Sequence, residues 1–198
     1  MPAPHTRKLE AAPLAALILA RATKPLTQLQ LQKLLFYVWG ALLSRNAALA
    51  ASAAFTFEAW KYGPVVRPLW ERLRDHGPSV IPRAALGEPL AADAVVLEAV
   101  DDILAVYGQL SAGALVQASH EESPWREASA SLDRHIPHET IAKHFAAKFA
   151  GPYALPDALS GASSFRLDGL PDTARFASLS DAADFFRRHQ DDNPTTAG

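Results

Sequence analysis

A mainly α, compact single-domain bundle of about six to seven helices is the architecture this sequence predicts. One short extended or hairpin segment is expected between helices 2 and 3. Three observations carry the prediction. Apolar residues recur at three- and four-residue intervals along most of the chain. The clearest stripes are opened by capping residues and closed by Gly or Pro. Strand-like alternation is confined to one place, Phe55-Thr56-Phe57-Glu58-Ala59. The length of 198 residues suits one domain with a tail. The expected boundaries are 1–150 for the helical domain and 151–198 for a C-terminal extension with a short helix and a disordered end.

Helix 1 is expected from Ala12 to Ala22, with Pro13 in its first turn and Leu14, Leu17 and Ile18 on one face. Helix 2 has the clearest start. Thr27 as N-cap and Gln30 three residues on form a capping box, with Leu26 and Leu31 placed as its hydrophobic staple. Leu31, Leu34, Leu35, Val38 and Leu42 make its stripe, which Phe36, Trp39 and Leu43 widen, so this helix should be central. Gly40 offers room for a close neighbour. Residues 46–57 are alanine-rich and end in the extended segment. Helix 3 is expected from Pro64 to His76, opened by Pro64, with Val66, Leu69, Trp70 and Leu73 inward and Gly77-Pro78 as its stop.

Residues 78–91 read as a loop. Helix 4 should run from Asp93 to Tyr107 with Val96, Val100, Ile103, Leu104 and Tyr107 in the core. Ser111 caps helix 5, Ser123 before Pro124 reads as the cap of a short helix, and Pro137 opens a last core helix holding Ile141, Phe145 and Phe149. Gly151-Pro152 should end it. In the extension, Phe165 and a small helix around Phe185-Phe186 are candidates for touching a partner or for folding back on the core.

Composition narrows the function classes. The net charge of −2 gives no global nucleic-acid signature. Its distribution is uneven: residues 1–83 carry eleven Lys/Arg against four Asp/Glu, and residues 84–139 two against ten. Either the surface is dipolar, with an acidic stretch at 88–139 suited to a basic partner, or the two segments interleave in space. There is no cysteine, which excludes a disulfide scaffold and thiol chemistry and fits a reducing cytoplasm. Arg7-Lys8 before a seven-residue apolar run faintly imitates a signal peptide, but Glu10, Pro13 and Arg21 argue against one. A cytoplasmic location is expected.

Catalytic and metal motifs fail on spacing. His120-Glu121-Glu122 lacks a histidine at position 124, which is Pro, so no metalloprotease pair forms. His135 and His138 are separated by Pro137, and His138 and His144 do not converge on one helix face. No Gly-x-Ser-x-Gly elbow or phosphate loop is present. No enzyme, cofactor or metal is expected.

Phe57-Glu58-Ala59-Trp60-Lys61-Tyr62-Gly63-Pro64-Val65-Val66 stands out instead, with Leu29-Gln30-Leu31-Gln32-Lys33-Leu34-Leu35-Phe36-Tyr37 before it. After it come Tyr107-Gly108-Gln109-Leu110-Ser111-Ala112 and His120-Glu121-Glu122-Ser123-Pro124-Trp125. In this order and spacing the blocks resemble the Panacea domain, the SocA-like antitoxin family that includes phage-associated proteins of the GepA type. The likeness runs from about Leu14 to Phe149.

The resemblance implies a helical antitoxin that neutralises a cognate toxin encoded by a neighbouring gene through direct protein–protein binding. One kind in the family is an adaptor that delivers its toxin to the ClpXP protease. Glu58, Trp60, Lys61, Tyr62, His120, Glu121 and Trp125 are the candidate partner-binding residues. The competing reading makes Trp60 a corner anchor of the core and His120 and Glu121 mere helix-end residues. The alternative function is a DNA-binding regulator of a phage or mobile-element operon using Lys33, Arg45, Lys61, Arg67, Arg72 and Arg74, although the gap between helices 2 and 3 is too long for a helix–turn–helix.

Overall fold

The computed structural model describes residues 8–149. Among them are seven α-helices: α1 Ala11–Arg21, α2 Gln28–Arg45, α3 Arg67–Leu73, α4 Ala94–Tyr107, α5 Ala112–Glu121, α6 Ser123–Ser129 and α7 His138–Lys148. Short 3-10 helices cover Ala47–Ser52 and Arg74–His76. Three short strands, β1 Phe57–Trp60, β2 Gly63–Val65 and β3 His135–Ile136, form an antiparallel sheet in the order β2-β1-β3. The mainly helical class and the hairpin between helices 2 and 3 agree with expectation. The segment 151–198, its proposed Phe165 and Phe185-Phe186 contacts and the residues before Lys8 lie outside the described residues.

Helix α2 is the axis of the fold. Its capping box is formed: the Gln30 amide donates to Thr27 Oγ1 at 3.3 Å, and the Thr27 amide donates to Gln30 Oε1 at 3.1 Å. Such a cap stabilises by about 1 kcal/mol. Every residue from Gln30 to Leu43 is buried, so the helix has no wet face at all. Helices α1, α4, α5 and α7 and strand β2 surround it. Phe36 meets Phe57 and Phe145 edge-on, both at 5.4 Å between ring centres. Tyr37 stacks on Tyr107 at 4.1 Å. A methyl group on Gly40 would lie 2.3 Å from Phe145 Cδ2, so glycine is what lets α7 lie against α2.

The structure corrects four details. Pro64 does not open helix 3; it sits in β2 opposite Ala59, and α3 begins at Arg67 with Pro68 in its first turn. The order β2-β1-β3 makes β2 an edge strand, where a residue without an N–H is tolerated in a ladder. Glu122, not Ser123, is the N-cap of α6. Strand β3 was not foreseen; two residues are too short to show alternation. Val96 and Leu104 are only partly buried, while Ala99 joins Val100, Ile103 and Tyr107 inside. No single helix among the described residues is long and apolar enough to cross a membrane.

Candidate functional site

The polar residues of α2 are buried because the helix is enclosed, and each is spent on a neighbouring backbone. Gln28 Nε2 donates to the Trp70 carbonyl at 3.2 Å. Gln30 Nε2 donates to the Leu110 carbonyl at 3.1 Å. Gln32 accepts from the Val66 amide at 2.9 Å. Lys33 Nζ donates to the Pro64 carbonyl at 2.9 Å, and the side chain is 0% exposed. An unpaired buried polar group costs about 1–3 kcal/mol, so these four contacts fix where β2, α3 and the start of α5 can lie. Burial pushes the Lys33 amine down to about 7.

That frame holds the β1–β2 hairpin against α5 and α6. Gly63 closes the turn at φ +95°, and a methyl group there would meet Ser119 Oγ at 2.4 Å and Lys33 Cε at 2.7 Å. Trp125 Nε1 donates to the Trp60 carbonyl at 3.1 Å, which ties α6 to β1. The Trp125 ring stacks on His120, 3.9 Å between centres and 12° from parallel. Burial, helped by nearby Lys33, pushes His120 down to about 4.

Trp60 is half-buried and does not fill the centre of the core. Its Nε1 donates to Glu58 Oε2 at 2.8 Å, its ring packs on Trp70 at 5.2 Å, and the Arg67 guanidinium lies over it at 5.1 Å. Arg67 also grips Glu58 with two bonds of 2.9 and 2.6 Å. Burial raises the Glu58 carboxyl, but Arg67 and Trp60 outweigh it and hold it below its ordinary value. Lys61 and Glu121 are exposed, and Lys61 Nζ lies 5.5 Å from the Tyr62 ring centre. All seven residues singled out from the sequence thus lie in the hairpin or at the α5–α6 elbow, and the Trp125–Trp60 bond joins the two groups. The aromatic pair Trp60–Trp70 adds Trp70, whose place on the core face of helix 3 hid this role.

Glu122, between α5 and α6, is the group that sequence reasoning undervalued. It is 2% exposed. Tyr37 donates to its Oε1 at 3.0 Å, His144 Nε2 to its Oε2 at 2.5 Å, and Lys148 Nζ also binds Oε1. Burial raises this carboxyl, but His144 and Lys148 together hold it below its ordinary value. The signal in the sequence was weak: an acid beside Glu121 with its partners 22 and 26 residues away.

His138 has a structural role as well. Trp39 Nε1 can only donate, so His138 Nδ1, 2.8 Å away, accepts, and Nε2–H donates to the Phe55 carbonyl at 2.8 Å. The two charge-rich segments interleave: Arg21 pairs with Asp101 at 2.5 Å and Arg45 with Asp102 at 2.7 Å.

Residues 31–126 match the family described as Antitoxin SocA-like, Panacea domain. Over that span the chain is similar to the SocA-like Panacea family. The match spans all seven candidate residues and stops one residue past Trp125. Across 133 residues the chain is 29% identical to Antitoxin SocA of Caulobacter vibrioides (strain NA1000 / CB15N), covering 60% of this chain and 70% of that protein. No solved structure matches. Within the matched span, the contacts of Gln32, Lys33 and Trp125 tie the first, hairpin and elbow blocks together in space.

Proposed function

We propose that this protein is an antitoxin that neutralises a cognate toxin, encoded by a neighbouring gene, by binding it directly through the hairpin–elbow surface. The observation that carries this is the convergence of Glu58, Trp60, Lys61 and Tyr62 with His120, Glu121 and Trp125, locked by the Trp125–Trp60 bond. Half-buried tryptophans held in one pose lose little freedom on binding, which is what interface anchors require. Exposed Lys61 and Glu121 border them as a polar rim. The family description and the relative named Antitoxin SocA support the same reading. Glu121 and Glu127 are the exposed acids of the 88–139 stretch closest in sequence to this surface, and they would face basic groups of the toxin.

The DNA-binding alternative is weakened by the geometry. Of its six cations, Lys33 is fully buried, Arg45 is paired with Asp102 and Arg67 with Glu58. The deciding experiment is co-expression with the adjacent small open reading frame from an inducible promoter, counting survivors with and without this protein. Toxicity reversed by this protein supports the antitoxin reading; toxicity that persists in its presence refutes it. Toxin half-life separates two routes: an unchanged half-life with full rescue indicates direct blocking, and a shortened one indicates delivery to a protease such as ClpXP.

A further inference from the structure

Helix α7 lies outside the matched span of residues 31–126, yet it grips the elbow inside that span. Glu122 is the point of grip. Its carbonyl accepts from the amides of Trp125 and Arg126, both at 3.1 Å, and so starts the helix that carries Trp125. Its carboxylate is held by Tyr37 of α2 and by His144 and Lys148 of α7. His144 adds a second tie, its Nδ1 lying 3.1 Å from Ser123 Oγ. The cluster is directional: charge-assisted bonds from two helices fix the angle of the elbow as well as its depth, which apolar packing alone does less well.

We infer that Glu122 is a positioning residue for the partner surface, and that docking of α7 sets the pose in which His120, Glu121 and Trp125 meet the partner. This rests on the reading that those residues bind a partner. Moving Glu122 takes Trp125 off both of its supports, the His120 ring and the Trp60 carbonyl. By linkage, a partner that selects the docked pose also stabilises α7, although it need not touch it.

The test uses the full chain labelled with 5-fluorotryptophan. It has four tryptophans, so ¹⁹F spectra resolve few signals, and Trp125→Phe assigns the one of interest. Glu122→Gln keeps the shape of the side chain and loses its charge; Lys148→Gln is a milder second variant should the first not fold. The expected result is a cooperative melt, a displaced or broadened Trp125 signal and an unmoved Trp39 signal. Trp39 is tied to the first turn of α7 through His138, so its constancy separates a loosened elbow from a lost helix. Affinity for the partner should fall about tenfold, the size expected when an interface anchor is displaced, and survivors in the rescue assay should fall with it.

A Trp125 signal unmoved in a folded variant overturns the inference. So does full rescue by a variant whose Trp125 signal has moved. Lys61→Ala, Glu121→Ala and Trp125→Ala act on the surface directly. If these abolish rescue while Glu122→Gln and Lys148→Gln do not, the positioning role fails and the surface stands; if all rescue fully, the surface itself is wrong.

Discussion

Lys33 Nζ lies 2.9 Å from the Pro64 carbonyl oxygen, and the lysine is completely enclosed. One side chain of the central helix thereby holds the edge strand of the hairpin that carries Trp60, Lys61 and Tyr62. The amine titrates near 7 in the folded protein against 10.5 ordinarily. Between those values the unfolded chain binds the extra proton, so folding stability should rise from pH 7 towards 10.5. Melting curves of the protein and of Lys33→Met across that range test this. The difference between the two should grow with pH, and parallel curves would refute it.

On the acid side, His138 is expected to be destabilising once charged. Burial lowers its folded pKa, and its Nδ1 must stay unprotonated to accept from Trp39. His120, at about 4, acts in the same direction. The unfolded chain therefore binds more protons between about 6.5 and 4, and stability falls as pH drops through that window. Glu122 adds a further loss below its ordinary carboxylate value, because its pKa is depressed in the fold. His138→Gln should flatten part of the upper window in urea titrations at stepped pH. An unchanged slope would count against the assigned tautomer.

Gly40→Ala should destabilise the protein although alanine is the better helix former. The propensity gain is about 1 kcal/mol, while a methyl group 2.3 Å from the Phe145 ring requires α7 to shift. Overpacking of this kind costs roughly 1–3 kcal/mol. Combining it with Phe145→Leu should cost less than the two separate losses added together. Chemical denaturation of the four proteins measures the coupling, and strict additivity would show that the two residues do not meet.

Gly63→Ala combines a φ of +95° with contacts to Ser119 and Lys33. Loss of stability and of rescue together is expected, since the hairpin and the α5 end must both move. Retained stability would mean the turn relaxes freely.

In the rescue assay, Lys61→Ala and Glu121→Ala should reduce survival with melting temperatures within a degree or two of the parent, as both side chains are exposed. Val95→Ser serves as a control: this valine is also exposed, lies in the first turn of α4 away from the hairpin and the elbow in sequence, and should change neither. Equal loss in all three would point to a nonspecific effect.

The local signals were legible. Thr27 and Gln30 announced their capping box, Asp93 and Ser111 their helices, and Gly40 its close neighbour. Each depends on residues within a turn or two of one another, or on one residue whose small size has a single use. The three blocks of the candidate site were visible as well, as a resemblance. Their contacts were not. Pro64 read as a helix opener because its fixed φ suits a first turn, and only the edge position of β2 made the strand acceptable.

By itself, then, the sequence determined the helical class, the position of α2 at the centre and the residues from which a binding surface could be built. The tertiary structure decided what those residues do. It placed Lys33 under the hairpin, closed Glu122 between Tyr37, His144 and Lys148, and paired Arg21 and Arg45 with Asp101 and Asp102 across the two charge-rich segments. The reason is physical. Caps and periodic stripes are set by neighbours along the chain. The fate of a buried charge is set by partners 22 to 85 residues away, and those meet only when the core has closed.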